Sequence, residues 1–180
     1  MSVLALATLS YLAVAVLGLA AVRVDYSHVR DTISQLGESR ARFGQLTSLA
    51  VFLPVGAALS VLSYLALSLD RDVALLAACL AVGYLGAGLF RCDPGSPSRG
   101  TWRQQVHNAC GRVEYLGGAY ALYRLAVQSG PLSFAPAAVV VLVSSVTFVP
   151  GQWRVRGLVQ RVAELTLFIS LTLALRRSEG

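Results

Sequence analysis

Five side chains in this sequence stand out as possible acids and bases because each lies at or near the end of a long apolar run: Asp31, Asp93, His107, Glu114 and Glu164. A carboxyl group in apolar surroundings keeps its proton at neutral pH, since burial penalises the charged form. Such a group can act as a general acid toward an alkene or an epoxide. The sequence predicts this chemistry, with Glu114, the deepest of the carboxyls, as the proton donor and Asp93 as the second choice.

The spacing around Glu114 is helical. His107, Gly111, Glu114 and Gly118 are separated by four, three and four residues, so a helix places them on one face. The two glycines leave that face shallow, and an ionisable group at membrane depth indicates a functional site. The alternative is a structural carboxyl, bonded to the backbone or paired with Arg112.

The last apolar run opens with a second polar group. Gln160, Arg161 and Glu164 lie three and four residues apart and are expected to face the interior of the protein. Arg161 would favour the charged form of Glu164, which suits a supporting role, although such a pair can also be purely structural. We expect Asp93, His107 and Glu164 to line one cavity.

The connection 25–44 follows the first apolar run and is too polar to lie in lipid. His28, Asp31 and Gln35 would share one face of a short helix. Ser34 could instead cap a turn, and a solvated loop is the third interpretation. Further along the chain, Asp93-Pro94-Gly95 predicts a tight turn.

A set of polar and aromatic residues accompanies the proposed acids and is predicted to bind a substrate. These residues are Tyr26, His28, Ser34, Gln35, Asn108, Tyr115, Gln160 and Arg161. The aromatic side chains near this set are Tyr26, Trp102, Tyr115 and Trp153. Their π faces could stabilise a cation, although an interfacial aromatic belt explains Trp102 and Trp153 equally well.

The elements that must position these residues are membrane helices. The sequence is 56% hydrophobic and 13% charged, with a mean hydropathy of +0.64, whereas a soluble domain is about 25% charged. Each apolar run approaches the ~20 residues that a helix needs to cross a bilayer. The predicted fold is all-α, a single domain over 1–180 with six spans, at 3–22, 44–69, 72–91, 108–127, 132–150 and 157–175.

With six spans, the connections after the first, third and fifth share one membrane face, which carries nearly all of the proposed site. That side also holds most of the basic residues: Arg23, Arg30, Arg40, Arg42, Arg91, Arg99, Arg103, Arg112, Arg154, Arg156 and Arg161. The other side holds Arg71, Arg124, Arg176 and Arg177. The positive-inside rule then predicts a bacterial cell-membrane protein with the site facing the cytoplasm and both termini outside. The first run, which lacks a preceding basic segment, is expected to be a retained span.

Three cysteines, Cys79, Cys92 and Cys110, match no zinc or redox spacing. We expect buried, unreactive thiols, and a disulfide between Cys92 and Cys110 only in an oxidising compartment. No metal and no cofactor are predicted.

Four short motifs occur in a characteristic order. They are Ser-x-Leu-Gly at 34–37, Leu-Phe-x-x-Asp at 89–93, His-Asn at 107–108 and Gln-Arg-x-x-Glu at 160–164. In this order the chain resembles the bacterial and archaeal six-span family known as domain of unknown function nine-nine-eight. The usual Phe-Pro before the aspartate is replaced, since Phe90 is followed by Arg91 and Cys92. The resemblance implies a six-span architecture and a polar pocket, but no reaction.

Three functions fit these patterns. The first is a membrane-embedded enzyme acting on an isoprenoid-type substrate, most concretely a small terpene cyclase that starts a carbocation cascade by protonation. The second is a metal-dependent lipid hydrolase that uses His28, His107 and one carboxylate. The third is a non-enzymatic lipid-binding or carrier protein. The expected partners are a prenylated or lipid small molecule and membrane lipid, and the all-arginine positive charge does not indicate nucleic acid.

Overall fold

The computed structural model describes residues 1–147 and 154–179, and over these ranges the chain is helical and contains no strand. This confirms the all-α prediction. The seven helices of these ranges are α1 (Ser2–Ala21), α2 (Ile33–Leu36), α3 (Gly44–Ala66), α4 (Arg71–Leu89), α5 (102–129), α6 (Pro131–Thr147) and α7 (Arg156–Glu179).

Four of the described helices, α1, α3, α4 and α7, are long and apolar enough to cross a membrane. Within α6, Ser133–Val146 is a shorter apolar helix. The polar first half of α5 sets that helix apart from the four. The apolar helices indicate an integral membrane bundle, whereas the count of six spans stays a prediction. The end of the predicted fifth span, 148–150, lies outside the described residues.

Helix α4 is the centre of the bundle and packs against α3, α5 and α7. Its small residues allow this close packing, as expected for membrane helices. A Cβ at Gly83 would collide with the carboxyl group of Glu114, and a Cβ at Gly86 would collide with Cys110. The glycines of α4 therefore decide how closely α5 approaches.

Helix α5 contains one π-helical turn, Val113–Gly117. The wider turn accommodates one extra residue, and such turns occur often at functional sites. Glu114 and Tyr115 are adjacent in sequence, yet both are buried. The π turn thus presents two successive polar side chains to the interior.

The two ends of the bundle differ in their contacts. At one end the amino group of Met1 pairs with Glu179, and Asp72 pairs with Gln128 and Arg124. The start of α1 and the end of α7 therefore lie on the same face.

The opposite end joins the first and third connections to the start of α7. Arg23 donates to Glu38 Oε1 at 2.6 Å, and Glu38 Oε2 accepts from the Gly95 N–H at 2.8 Å. Arg156 donates to the Gly95 carbonyl at 2.7 Å, and the Leu158 N–H bonds the Val29 carbonyl at 3.0 Å. The prediction of a shared face is confirmed for the first and third connections, whereas most of the fifth connection, 148–153, lies outside the described residues.

Candidate functional site

A cavity of about 370 Å³ lies at the end of the bundle where these connections meet. It is bounded by α4, α5, the end of α6, the start of α7, and the first and third connections. Its lining residues are Thr32, Ser34, Gly83, Ala87, Ser96, Pro97, Ser98, His107, Asn108, Gly111, Arg112, Glu114, Tyr115, Leu116, Ser145, Val146, Arg156 and Gln160.

Glu114 forms the deep end of this cavity. Its side chain is buried against Gly83, and its Oε1 atom has no hydrogen-bond partner among the described residues. A buried polar atom is normally satisfied, so one left without a partner calls for an explanation in function. The sequence placed Glu114 at this depth, and the structure places it in the cavity wall.

Glu164 lies behind Glu114 and is held by two hydroxyl groups. Tyr84 donates to Oε2 at 2.9 Å, and Tyr115 donates to Oε1 at 2.6 Å. Gln160 donates from Nε2 to the Tyr115 hydroxyl at 3.2 Å. The Gln160 Oε1 accepts from the Ile33 N–H at 2.7 Å. A continuous hydrogen-bond chain therefore runs from α2 to the carboxyl group of Glu164.

The buried carboxyl groups of Glu114 and Glu164 interact electrostatically. Their surroundings differ. Glu164 receives two hydroxyl donors, and each of these favours its ionised form. The Oε1 atom of Glu114 receives none from the described residues. Glu164 is therefore the hydrogen-bonded member of the pair, and Glu114 is the member with an oxygen that no described residue bonds.

His107 lines the same cavity, one α-turn above Gly111. Its Nδ1 lies 3.0 Å from the carbonyl oxygen of Phe90, which can only accept, so Nδ1 carries the hydrogen. In the neutral ring Nε2 is then an acceptor. A backbone carbonyl therefore fixes the orientation of this ring.

Asn108 follows His107 and is fixed on both sides. Its Oδ1 accepts from Gln104 at 2.8 Å, and its Nδ2 donates to the carbonyls of Pro97 and Ser98 at 3.2 Å. The residue lines the cavity and at the same time holds the third connection against α5.

Asp93 does not line the cavity. Its carboxylate accepts from the Thr101 N–H at 2.8 Å and from the Thr101 hydroxyl at 2.9 Å. The Ser96 N–H bonds the Asp93 carbonyl at 2.8 Å, and Gly95 has φ +77°, so the predicted turn is confirmed. The expectation that Asp93, His107 and Glu164 line one cavity is wrong for Asp93, which faces its own loop. It is also wrong for Glu164, which lies behind the wall.

Asp31 is a loop residue outside the cavity. It pairs with Arg30 at 2.9 Å and accepts from the Ser27 N–H at 2.8 Å. Burial alone would raise the pKa of Asp31, but the hydrogen bonds from Arg30 and Ser27 outweigh it and lower that pKa. Because Thr32 and Gln35 form the helix cap, α2 begins only at Ile33. The predicted common helical face of His28, Asp31 and Gln35 is therefore wrong.

Arg161 does not pair with Glu164. Its guanidinium donates to the carbonyls of His28 at 2.7 Å and Asp31 at 2.9 Å, and to the Tyr26 hydroxyl at 2.6 Å. The Tyr26 ring meets His28 edge to face, and burial raises the pKa of the Tyr26 hydroxyl. These three residues fasten the first connection to α7 and do not line the cavity.

The mouth of the cavity is formed by Ser96, Ser98, Arg112 and Arg156. Arg156 donates to the Gln35 Oε1 at 2.9 Å, the same atom that accepts from the Thr32 N–H at 2.8 Å. Gln35 thus holds Arg156 in position without lining the cavity itself, whereas Ser34 lines the cavity wall.

Tyr115 is the one Phe, Tyr or Trp side chain in the described lining of the cavity. Trp102 is exposed and packs edge to face on Phe90. Trp153 lies outside the described residues. The interfacial-belt alternative fits Trp102.

Sequence reasoning missed Tyr84, Thr32 and the functional position of Arg156, and it did not pair Gly83 with Glu114. Tyr84 lies within an apolar helix, and Arg156 was counted only as a topological charge. The partners of Tyr84 and Arg156 are distant in sequence, so local spacing carries no signal for them. Thr32 bonds Gln35 three residues away, a Thr-x-x-Gln capping box that local spacing does signal.

The three cysteines are free, as expected. Burial raises the pKa of Cys92 to about 12, and its thiol lies 3.3 Å from the Ser34 carbonyl. Over the two described ranges, no group of three or more His, Cys, Asp and Glu side chains could hold a metal ion.

Comparison with protein families matches residues 5–177 to the family described as Protein of unknown function (DUF998). Comparisons with curated proteins and with solved structures return no match.

Proposed function

The chain belongs to the DUF998 family, and we propose that it is a membrane-embedded enzyme that cyclises an isoprenoid-type substrate by carboxylate acid catalysis. The observation that carries this proposal is the open oxygen of Glu114 at the buried end of the cavity. Two buried carboxyl groups in contact are most stable with one proton between them. Because Tyr84 and Tyr115 donate to Glu164, the proton belongs to Glu114.

The reaction balances without an oxidant or reductant. The Glu114 carboxyl adds its proton to the less substituted carbon of the terminal alkene, which leaves a tertiary cation on the other carbon. The π electrons of a neighbouring alkene then close a carbon–carbon bond on that cation. The last cation loses a proton from an adjacent carbon. His107 suits this final step because its Nε2 is an acceptor in the tautomer that Phe90 fixes. Exchange with water then restores both groups.

The remaining site residues support this reaction by position. Glu164, Gln160 and Tyr115 hold the buried pair, while Ser34 and Asn108 line the wall. Tyr115 also brings an aromatic ring to the described lining of the cavity, which suits a passing carbocation.

The proposal includes a location. The side of the bundle with the cavity carries eleven of the fifteen arginines named above, which favours a bacterial cell membrane with the cavity open to the cytoplasm.

The two-histidine metal hydrolase gains no support from the described residues. His107 uses Nδ1 on Phe90, and His28 lies against Tyr26 on the first connection. A non-enzymatic lipid carrier would use the same cavity. The experiment below distinguishes a carrier from an enzyme, because a carrier binds the substrate without converting it.

The test is the replacement Glu114→Gln in purified protein, assayed for cyclised products from a linear prenyl substrate. The amide keeps the shape of the side chain but has no acidic proton. General acids are typically worth ~10²–10⁴ in rate, so product formation should fall by at least about a hundredfold.

Glu179→Gln is the matched control, because it makes the same chemical change at an exposed position on the opposite face. It should keep the wild-type rate. Near-full turnover by Glu114→Gln would overturn the assignment of the acid. Tight binding without turnover in the wild type would favour the carrier.

A further inference from the structure

The mouth of the cavity carries a positive charge that the proposed cyclisation does not explain. We infer that the substrate has a phosphate head group bound by Arg112 and Arg156, with its apolar chain extending to Glu114. The reaction of the substrate's apolar chain at Glu114 rests on the proposed function. The head-group site is argued independently, from the contacts of the two arginines.

Neither arginine has an acidic partner within the described ranges. Arg112 is exposed and forms no ion pair there. Arg156 donates only to neutral oxygens, those of Gln35, Gly95 and Ser96. No described carboxylate therefore pairs with either guanidinium group.

The nearby carboxylates are committed elsewhere. Asp31 lies near enough to interact electrostatically with Arg156, but Arg30 binds it directly. Asp93 bonds Thr101. In the described lining of the cavity, Glu114 is the one acidic residue, and it lies at the deep end. The mouth is therefore cationic.

The donors suit a phosphate. Guanidinium groups bind tetrahedral oxyanions through paired, charge-assisted N–H donors. Ser96 and Ser98 add polar groups at the same rim, next to the turn that brings Gly95 to Arg156.

The rest of the cavity suits an apolar chain. Ala87, Leu116 and Val146 line it, and Leu116 and Val146 are also exposed on the outer surface of the bundle, where lipid is expected. A proton-initiated cyclisation breaks no bond to the head group. The phosphate can therefore stay bound at the mouth while the far end of the chain reacts at Glu114.

Binding of radiolabelled farnesyl diphosphate to the full chain in neutral phosphatidylcholine nanodiscs tests the inference. Farnesol should bind at least about tenfold more weakly, which is the loss expected for one charge-assisted hydrogen bond. Arg112→Gln and Arg156→Gln should each weaken binding of the diphosphate to a similar degree, and Arg156→Lys should recover part of it. Arg40→Gln, an exposed arginine on the same face, should have no effect.

Two competitors identify the source of the phosphate. Displacement by phosphatidic acid would support the head-group site and assign it to a membrane phospholipid, whereas resistance to it would support a prenyl phosphate. Displacement by inorganic diphosphate at equal concentration would overturn the inference, since the prenyl chain of the substrate would then contribute nothing to binding. Equal affinity for farnesol, or unchanged affinity in both glutamine variants, would also overturn it.

Glu114→Gln separates this inference from the proposed function, because it should keep farnesyl diphosphate binding while losing turnover. If the arginines bind the diphosphate but no cyclised product forms, the proposed function fails alone. If farnesol is cyclised as fast as its diphosphate, the head-group inference fails alone.

Discussion

Two glutamates of the same chemistry are given different roles by their neighbours. Glu164 accepts hydrogen bonds from Tyr84 and Tyr115, whereas Glu114 faces the cavity with one oxygen open. The difference depends on hydroxyl groups of two other helices rather than on Arg161, the neighbour that the sequence suggested. Removing one hydroxyl should therefore disturb the pair.

Tyr84→Phe should lower the free energy of unfolding by about 1–3 kcal/mol, because the buried Glu164 carboxylate loses a donor. Unfolding of the detergent-solubilised protein measures the change. Tyr123→Phe is the control, since that tyrosine is exposed. The effect of Tyr84→Phe should shrink in a Glu164→Leu background, and an undiminished effect there would contradict the assigned contact.

Gly83 is required by close approach. Gly83→Ala introduces a Cβ that collides with the Glu114 carboxyl, and we expect a loss of about 1–3 kcal/mol from overpacking. Gly18→Ala makes the same change in α1, where nothing lies within 4 Å, and should be neutral or stabilising. The same unfolding assay compares them. Equal effects of the two substitutions would show that Glu114 does not pack on α4.

At the scale of elements, helix positions follow from the sequence better than helix details. The apolar runs predict the bounds of α3, α4 and α7 closely, since burial and lipid exposure demand long apolar segments. The π turn at Val113–Gly117 and the cap formed by Thr32 and Gln35 were not predicted. The cap is local, since Thr32 and Gln35 are three residues apart in a Thr-x-x-Gln capping box that the sequence could have indicated.

The first connection is held partly by a charged contact and should respond to pH. The ionised form of Asp31 bonds Arg30 and Ser27, and its pKa is lowered. A lowered pKa contributes stability that is complete above the ordinary aspartate value and is lost as the pH falls through the folded-state value. The difference in thermal stability between wild type and Asp31→Asn should therefore be largest near neutrality and vanish in strong acid. A difference that is independent of pH would contradict this, and Asp25→Asn, an exposed neighbour, serves as the control.

At the scale of the whole molecule, the sequence indicated that the polar connections meet at one end, and the structure brings them together there. It could not indicate which carboxyl groups reach the cavity. Asp93 and Asp31 occur at the same membrane level as His107, yet each is bound by its own loop. Depth can be read from a sequence, whereas the direction of a side chain depends on packing.

The arginine distribution predicts the orientation of the bundle. In a cysteine-free background, Ser98→Cys should be labelled by an impermeant maleimide only in inverted vesicles, because Ser98 is exposed on the arginine-rich face. Ser178→Cys, near the end of α7, should be labelled in intact cells. Labelling of Ser98→Cys from outside would reverse the orientation.

The central claim is that Glu114 transfers a proton to an alkene, and solvent isotope incorporation tests it most directly. The carboxyl proton exchanges with water between turnovers, so cyclisation of a linear prenyl diphosphate in D₂O should place one solvent deuterium on the carbon that Glu114 protonates, the less substituted carbon of the terminal alkene. Mass spectrometry of the product measures this, and Glu114→Gln should abolish the deuterated product. A cyclised product that carries no solvent deuterium, or one that Glu114→Gln forms at the wild-type rate, would contradict the account.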